Sequence, residues 1–152
     1  MTRLDEAGLE NSLEAEATTV QLKPILNTSL PPQFRQIRLE LAREPDHPDG
    51  DGNVGYIVIA PLERDGHIAL KSWMEHRDAC RVTRFRPDGR EEVGHLVHRR
   101  DGAWAFHYDQ ATGLPDETGY HFANERFVPG EYVSINESGA MHTYRVRSAV
   151  RL

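Results

Sequence analysis

From Phe34 to the C-terminus the chain breaks into short stretches of alternating apolar and polar residues, each closed by glycine, proline or aspartate. A period of two is the signature of a strand with one buried face. Short strands at this spacing build an antiparallel barrel or sandwich rather than a layered α/β domain. Ile37, Leu39 and Leu41 alternate with Gln36, Arg38 and Glu40 in the first such stretch. "CRVTRF", "EVGHLVHR", "AWAFHY", "EYVSI" and "MHTYRVRSAV" follow, separated by the turn signals "PDG", "RDG", "PG" and "ESG". Tyr56 to Ala60 is apolar on both faces, which predicts a strand near the middle of the fold, stopped by Pro61.

One segment breaks the alternation. In "DGHIALKSWMEHRDA", Leu70, Trp73 and either Met74 or Arg77 fall three and four apart, the spacing of a short helix. The expected fold is therefore mainly β: a small antiparallel β-barrel with one short helix, formed by residues 33–152 as a single domain. Its expected core is Ile37, Leu39, Leu41, Ile57, Ile59, Trp73, Val82, Val97, Trp104, Phe106, Val133, Ile135, Tyr144 and Val146. At 152 residues the chain is long enough for one such core, and it contains no internal repeat.

Residues 1–32 read differently. Leu9 and Leu13 permit a short acidic helix, but few other apolar residues accompany them, so this stretch is expected to be a loosely packed, partly disordered or helical acidic arm. Asp5, Glu6, Glu10, Glu14 and Glu16 against Arg3 place −4 of the chain's net charge of −6 in the first twenty residues. The body is close to neutral, which gives no broad electrostatic reason to bind nucleic acid. A single cysteine, Cys80, cannot form an internal disulfide, and the N-terminus has neither a basic nor an apolar signal region. A cytoplasmic location is the expectation. The longest apolar run, "GYIVIAPL", is far short of the ~20 residues a membrane-spanning helix needs, so no membrane association is expected.

The densest cluster of possible cation ligands is "REPDHPDGDGN", in which Asp49, Asp51 and Asn53 occupy the first, third and fifth positions of a calcium loop. The sixth position, where a sharp turn needs glycine, is Val54, and the twelfth, where a bidentate glutamate belongs, is Ala60. Asp46, Asp49 and Asp51 are thus weak metal candidates in what reads as an ordinary turn between strands, and no metal or cofactor is assigned.

Histidine is a common general base and metal ligand, so the strand histidines matter. If Asp101 and Gly102 form a two-residue hairpin turn, Val97 pairs with Phe106 and His95 with Tyr108. Val93, His95, Val97, Trp104, Phe106 and Tyr108 then share a core face. Leu96, His98, Ala105 and His107 share the other, with His98 and His107 as diagonal neighbours. Cys80 beside Val82 at the start of a strand reads as a buried structural thiol rather than a nucleophile. Between positions 77 and 100 arginines outnumber acids by three, but alternation puts Arg84 and Arg86 on the face opposite Arg81, as expected of solvated strand edges. The candidate ligand-binding residues are His98, His107, Arg81 and Arg84. No residue is assigned a catalytic role, because no G-x-S-x-G, phosphate-loop, dinucleotide or H-E-x-x-H pattern is present.

"RFVPGEYVSI" resembles a phrase of the flavin-binding barrels of ferredoxin-reductase-like proteins, in which an Arg-x-Tyr-Ser segment then holds the cofactor. Here the next strand reads "HTYRVRS", with Tyr144 before Arg145, so that segment is not matched. "AREPDHPDGD", "RDACRVTRF" and "FVPGEYVSI" together resemble a family of small bacterial proteins with no assigned activity, over most of the region after Phe34. That resemblance implies no site residues. Two function classes follow. The first is a non-catalytic domain binding a small molecule or a protein, as a monomer or homodimer. The second is a small enzyme, or a flavin- or metal-binding barrel, using His98, His107 and Cys80.

Overall fold

The computed structural model describes residues 30–109, 115–119 and 122–152; the expected arm, apart from its last residues, lies outside them. Eight strands close into one antiparallel barrel in sequence order: β1 (Phe34–Leu41), β2 (Asp51–Pro61), β3 (Arg81–Phe85), β4 (Glu91–His98), β5 (Trp104–Tyr108), β6 (Glu117–Gly119), β7 (Tyr132–Glu137) and β8 (Ala140–Arg151). Every strand pairs with its sequence neighbours, and β1 pairs with β8 to complete the ring. Among the described residues every strand has a paired neighbour on each side, so the arginine-rich strands β3 and β4 lie inside the ring rather than at the edge of an open sheet. The helix is α1 (Leu70–Glu75), followed by a 3-10 turn over Arg77–Ala79. Of its apolar residues Trp73 is buried, whereas Leu70 and Met74 are exposed.

Because successive strands run antiparallel, the β1–β2, β3–β4, β5–β6 and β7–β8 connections share one end of the barrel, and α1, between β2 and β3, lies toward the other. The α1 end is packed with aromatic rings. Trp73 meets Trp104 edge-on at 5.3 Å between ring centres, and its indole N–H donates to the Leu96 carbonyl at 2.8 Å. Phe122 bridges Phe106 and Phe127 at 5.7 and 5.1 Å. The close seat of Phe122 needs Gly119, where a Cβ would lie 2.3 Å from the phenyl ring.

The expected core is buried throughout with one exception, Val97, which is only half-buried. The hairpin explains it. Arg99 N–H donates to Ala103 O and Gly102 N–H to Arg99 O, so the turn is one residue longer than a two-residue loop. The pairs are accordingly Leu96 with Phe106, Val97 with Ala105 and His98 with Trp104. A slip of one residue exchanges the faces of a strand, so Gly94, Leu96 and His98 face the lumen while Val93, His95 and Val97 face outward. Gly94 is required there, since a Cβ would approach the His107 carbonyl oxygen to 2.1 Å.

Candidate functional site

At the end opposite α1 the lumen turns from apolar to polar. Tyr56 on β2 pairs across the sheet with Arg84 on β3, and Leu41 on β1 with Tyr144 on β8, so these side chains share the inner face. Tyr108 ends β5, Glu117 begins β6 and Glu137 ends β7, all at the same end of the barrel. The closed ring aims them at one another.

The two carboxylates are held symmetrically. Arg84 Nη1 donates to Glu117 Oε2 at 2.5 Å, and its Nη2 to Glu137 Oε1 at 3.3 Å. On the other side of each carboxylate, Tyr108 OH donates to Glu117 Oε1 at 2.5 Å and Tyr144 OH to Glu137 Oε2. The Tyr56 hydroxyl stands between them, 2.9 Å from Glu117 Oε1 and 2.6 Å from Glu137 Oε2. Tyr56 is fully buried and Glu117 nearly so. Arg84 and Glu137 keep 16% and 12% of their side-chain surface exposed, so solvent reaches the cluster from their side.

Burial pushes the Glu117 carboxyl above its ordinary range, against the lowering effect of its hydrogen bonds and of Arg84. The three phenols are raised for the same first reason, with the neighbouring carboxylates adding to it, and stay neutral. Burial alone would lower Arg84, but the surrounding phenols and carboxylates outweigh it and keep the guanidinium charged.

Among the expected binding residues, Arg84 is thus internal rather than a solvated edge residue, while Arg81 is exposed on the outer face. His98 and His107 do not share a face. His98 points inward at the α1 end, 4.6 Å from the Trp104 ring and 6.0 Å from the Trp73 ring. His107 points outward and meets Asp116 at 2.7 Å. His95, expected in the core, is also outside, 2.9 Å from Asp109. Cys80 is buried, and burial pushes its thiol up to about 12, so it is neutral at neutral pH. These three residues, His98, His107 and Cys80, form no common site.

The arginines of the 77–100 segment are likewise dispersed. Arg86 pairs with Glu92, Arg90 with Asp88 and Arg99 with Asp116, while Arg77 stacks on Trp73. In the aspartate-rich loop Asp51 accepts from the Asn53 backbone N–H at 2.8 Å, as a turn aspartate does, and β2 already begins at Asp51. Among the described residues no group of three or more histidines, cysteines and carboxylates is placed to hold a metal ion. A groove of about 520 Å³ runs outside the cluster end of the barrel, between Asp49–Gly52 and Tyr132, Thr143, Arg145 and Arg147. Among the described residues no helix is long and apolar enough to cross a membrane.

Of the cluster only Arg84 stood out in the sequence. The available signal was alternation: in "RVTRF" it shares a face with buried Val82. No family model matches the chain, and neither a curated protein nor a solved structure gives a significant match.

Proposed function

We propose that the chain is a non-catalytic binding domain that takes one small polar molecule at the barrel mouth beside Arg84 and Glu137. The observation carrying this reading is the burial of two carboxylates, a guanidinium and three phenols in the barrel lumen. Apolar residues of similar volume would serve folding as well or better, because desolvating such charges offsets much of their mutual attraction. Converging polar groups with shifted titration are more common at functional sites than in plain cores. An eight-stranded barrel is also the size whose interior is either filled by side chains or holds one small ligand. Here aromatic rings fill the α1 end, and the polar end stays in touch with solvent.

Of the two partner classes, the small molecule has more support than a protein, since the described strands close into a ring instead of ending in an open-sheet edge along which a partner strand could add. The lone buried thiol fits a reducing compartment, and a cytoplasmic location belongs to the same proposal.

A thermal-shift screen of small polar compounds tests the reading with the wild type and Arg84→Lys, which keeps the charge but loses the two-armed bridge. Compounds should raise the wild-type Tm and lose most of that effect in the variant. Equal stabilisation of both proteins would move the site elsewhere, with the groove at Tyr132 and Arg145 the next place to look.

A further inference from the structure

The cluster is one proton short of its own hydrogen bonds. Four links join phenols to carboxyl oxygens: Tyr108 to Glu117, Tyr56 to Glu117, Tyr56 to Glu137 and Tyr144 to Glu137. Three phenols carry three protons, one for each of three links. Without a further proton, the Tyr56 oxygen and one carboxylate oxygen would face each other at hydrogen-bond distance with nothing between them.

Charge shows the same deficit. Two carboxylates against one guanidinium leave −1 in a lumen where an uncompensated charge is costly. A single added proton completes the fourth link and brings the cluster to neutrality.

We propose that the folded protein at neutral pH holds one carboxyl proton in this cluster, on the bridge formed by Glu117, Tyr56 and Glu137. The inference stands whether or not a ligand binds at the mouth. The groups facing the bridge are Tyr56 from β2, Arg84 from β3, Tyr108 from β5 and Tyr144 from β8. On β4, Glu92 stands directly across the sheet from Arg84 and is ion-paired with Arg86, and β1 presents the apolar Leu39 and Leu41. Arg84 is therefore the cation directly opposing protonation, and it already spans both carboxylates. Burial of Glu117 acts in the favourable direction. A neutral carboxyl held among phenols is a proton donor and acceptor inside the barrel, and it would prefer a ligand group able to take over its proton's place, such as an N–H cation, to an anion.

The sign of the pH dependence follows. The carboxyl is protonated in the folded state and ionised in the unfolded chain at neutral pH. Its stabilising effect is thus complete below the ordinary carboxylate range and is lost as pH rises through the raised folded value. Between those limits the folding equilibrium constant should fall about tenfold per pH unit. Glu125 is a second buried carboxyl, pushed up to about 6 by burial, so the measurement belongs above that pH.

Infrared spectra and urea titrations of the wild type, Glu117→Gln and Glu137→Gln decide the matter. Either glutamine leaves one carboxylate against Arg84 and supplies the missing N–H donor in place of the proton. The folded wild type should show the carbonyl stretch of a protonated carboxyl, absent after unfolding. Both variants should lack that band and should lose the tenfold slope. If Glu117→Gln fails to fold, Glu137→Gln carries the same comparison. A wild type without the band, or a band and slope persisting in the glutamine variants, would overturn the proposal.

Discussion

Replacing Arg84 by methionine should destabilise the barrel by about 3–5 kcal/mol, because it removes the cation that bridges Glu117 and Glu137 and leaves a buried negative charge without its partner. The loss should be much greater than for Glu117→Gln, which keeps the shape and leaves one carboxylate paired with Arg84. Urea titration near neutral pH measures both. A loss no larger than that of an exposed arginine such as Arg81 would mean that water, not protein, surrounds the guanidinium.

The second large effect belongs to the opposite end. Trp104→Ala should cost about 3–5 kcal/mol, since its ring is buried against Trp73 and His98 and its removal leaves a large cavity. The same hairpin supplies a test of register. Leu96→Ala should cost about 2–5 kcal/mol, whereas Val97→Ala, half-buried on the outer face, should cost less. The reverse order in denaturant titrations would restore the two-residue turn and exchange the two faces of β4.

That hairpin shows where the sequence was ambiguous. Alternation alone located β1, β3, β4, β5, β7 and β8, and the broken period located α1. β4 reads "EEVGHLVH", however, with Val93, His95 and Val97 on one face and Leu96 and His98 on the other, so hydrophobicity favours, by one valine, the face that the structure turns outward. Gly102, at φ +88°, suits turns of either length. The choice is made by tertiary packing, with His98 held against Trp104 and Trp73. β6 is three residues long and too short to show a period.

The polar cluster was hidden for a different reason. Tyr56 and Glu117 are 61 positions apart, Tyr56 and Glu137 are 81 apart, and Arg84 and Glu117 are 33 apart. None forms a local motif. Only closure of β1 onto β8, together with the inward phase of each strand, brings them to one point. A tyrosine on a core face is ordinary, and a glutamate at the end of a strand ordinarily faces water. The legible oddity was an arginine in phase with Val82. It became informative once the sheet was known to close, because the inside of a closed barrel cannot be a solvated edge.

Native mass spectrometry of the protein as purified, before and after addition of a compound that raises its Tm, tests the binding account most directly. The expected spectrum is one or two copies of the bare chain, gaining one equivalent of the compound per chain in the wild type and little in Arg84→Lys. A stoichiometric flavin, haem or transition metal retained through purification would contradict it, as would full occupancy in Arg84→Lys.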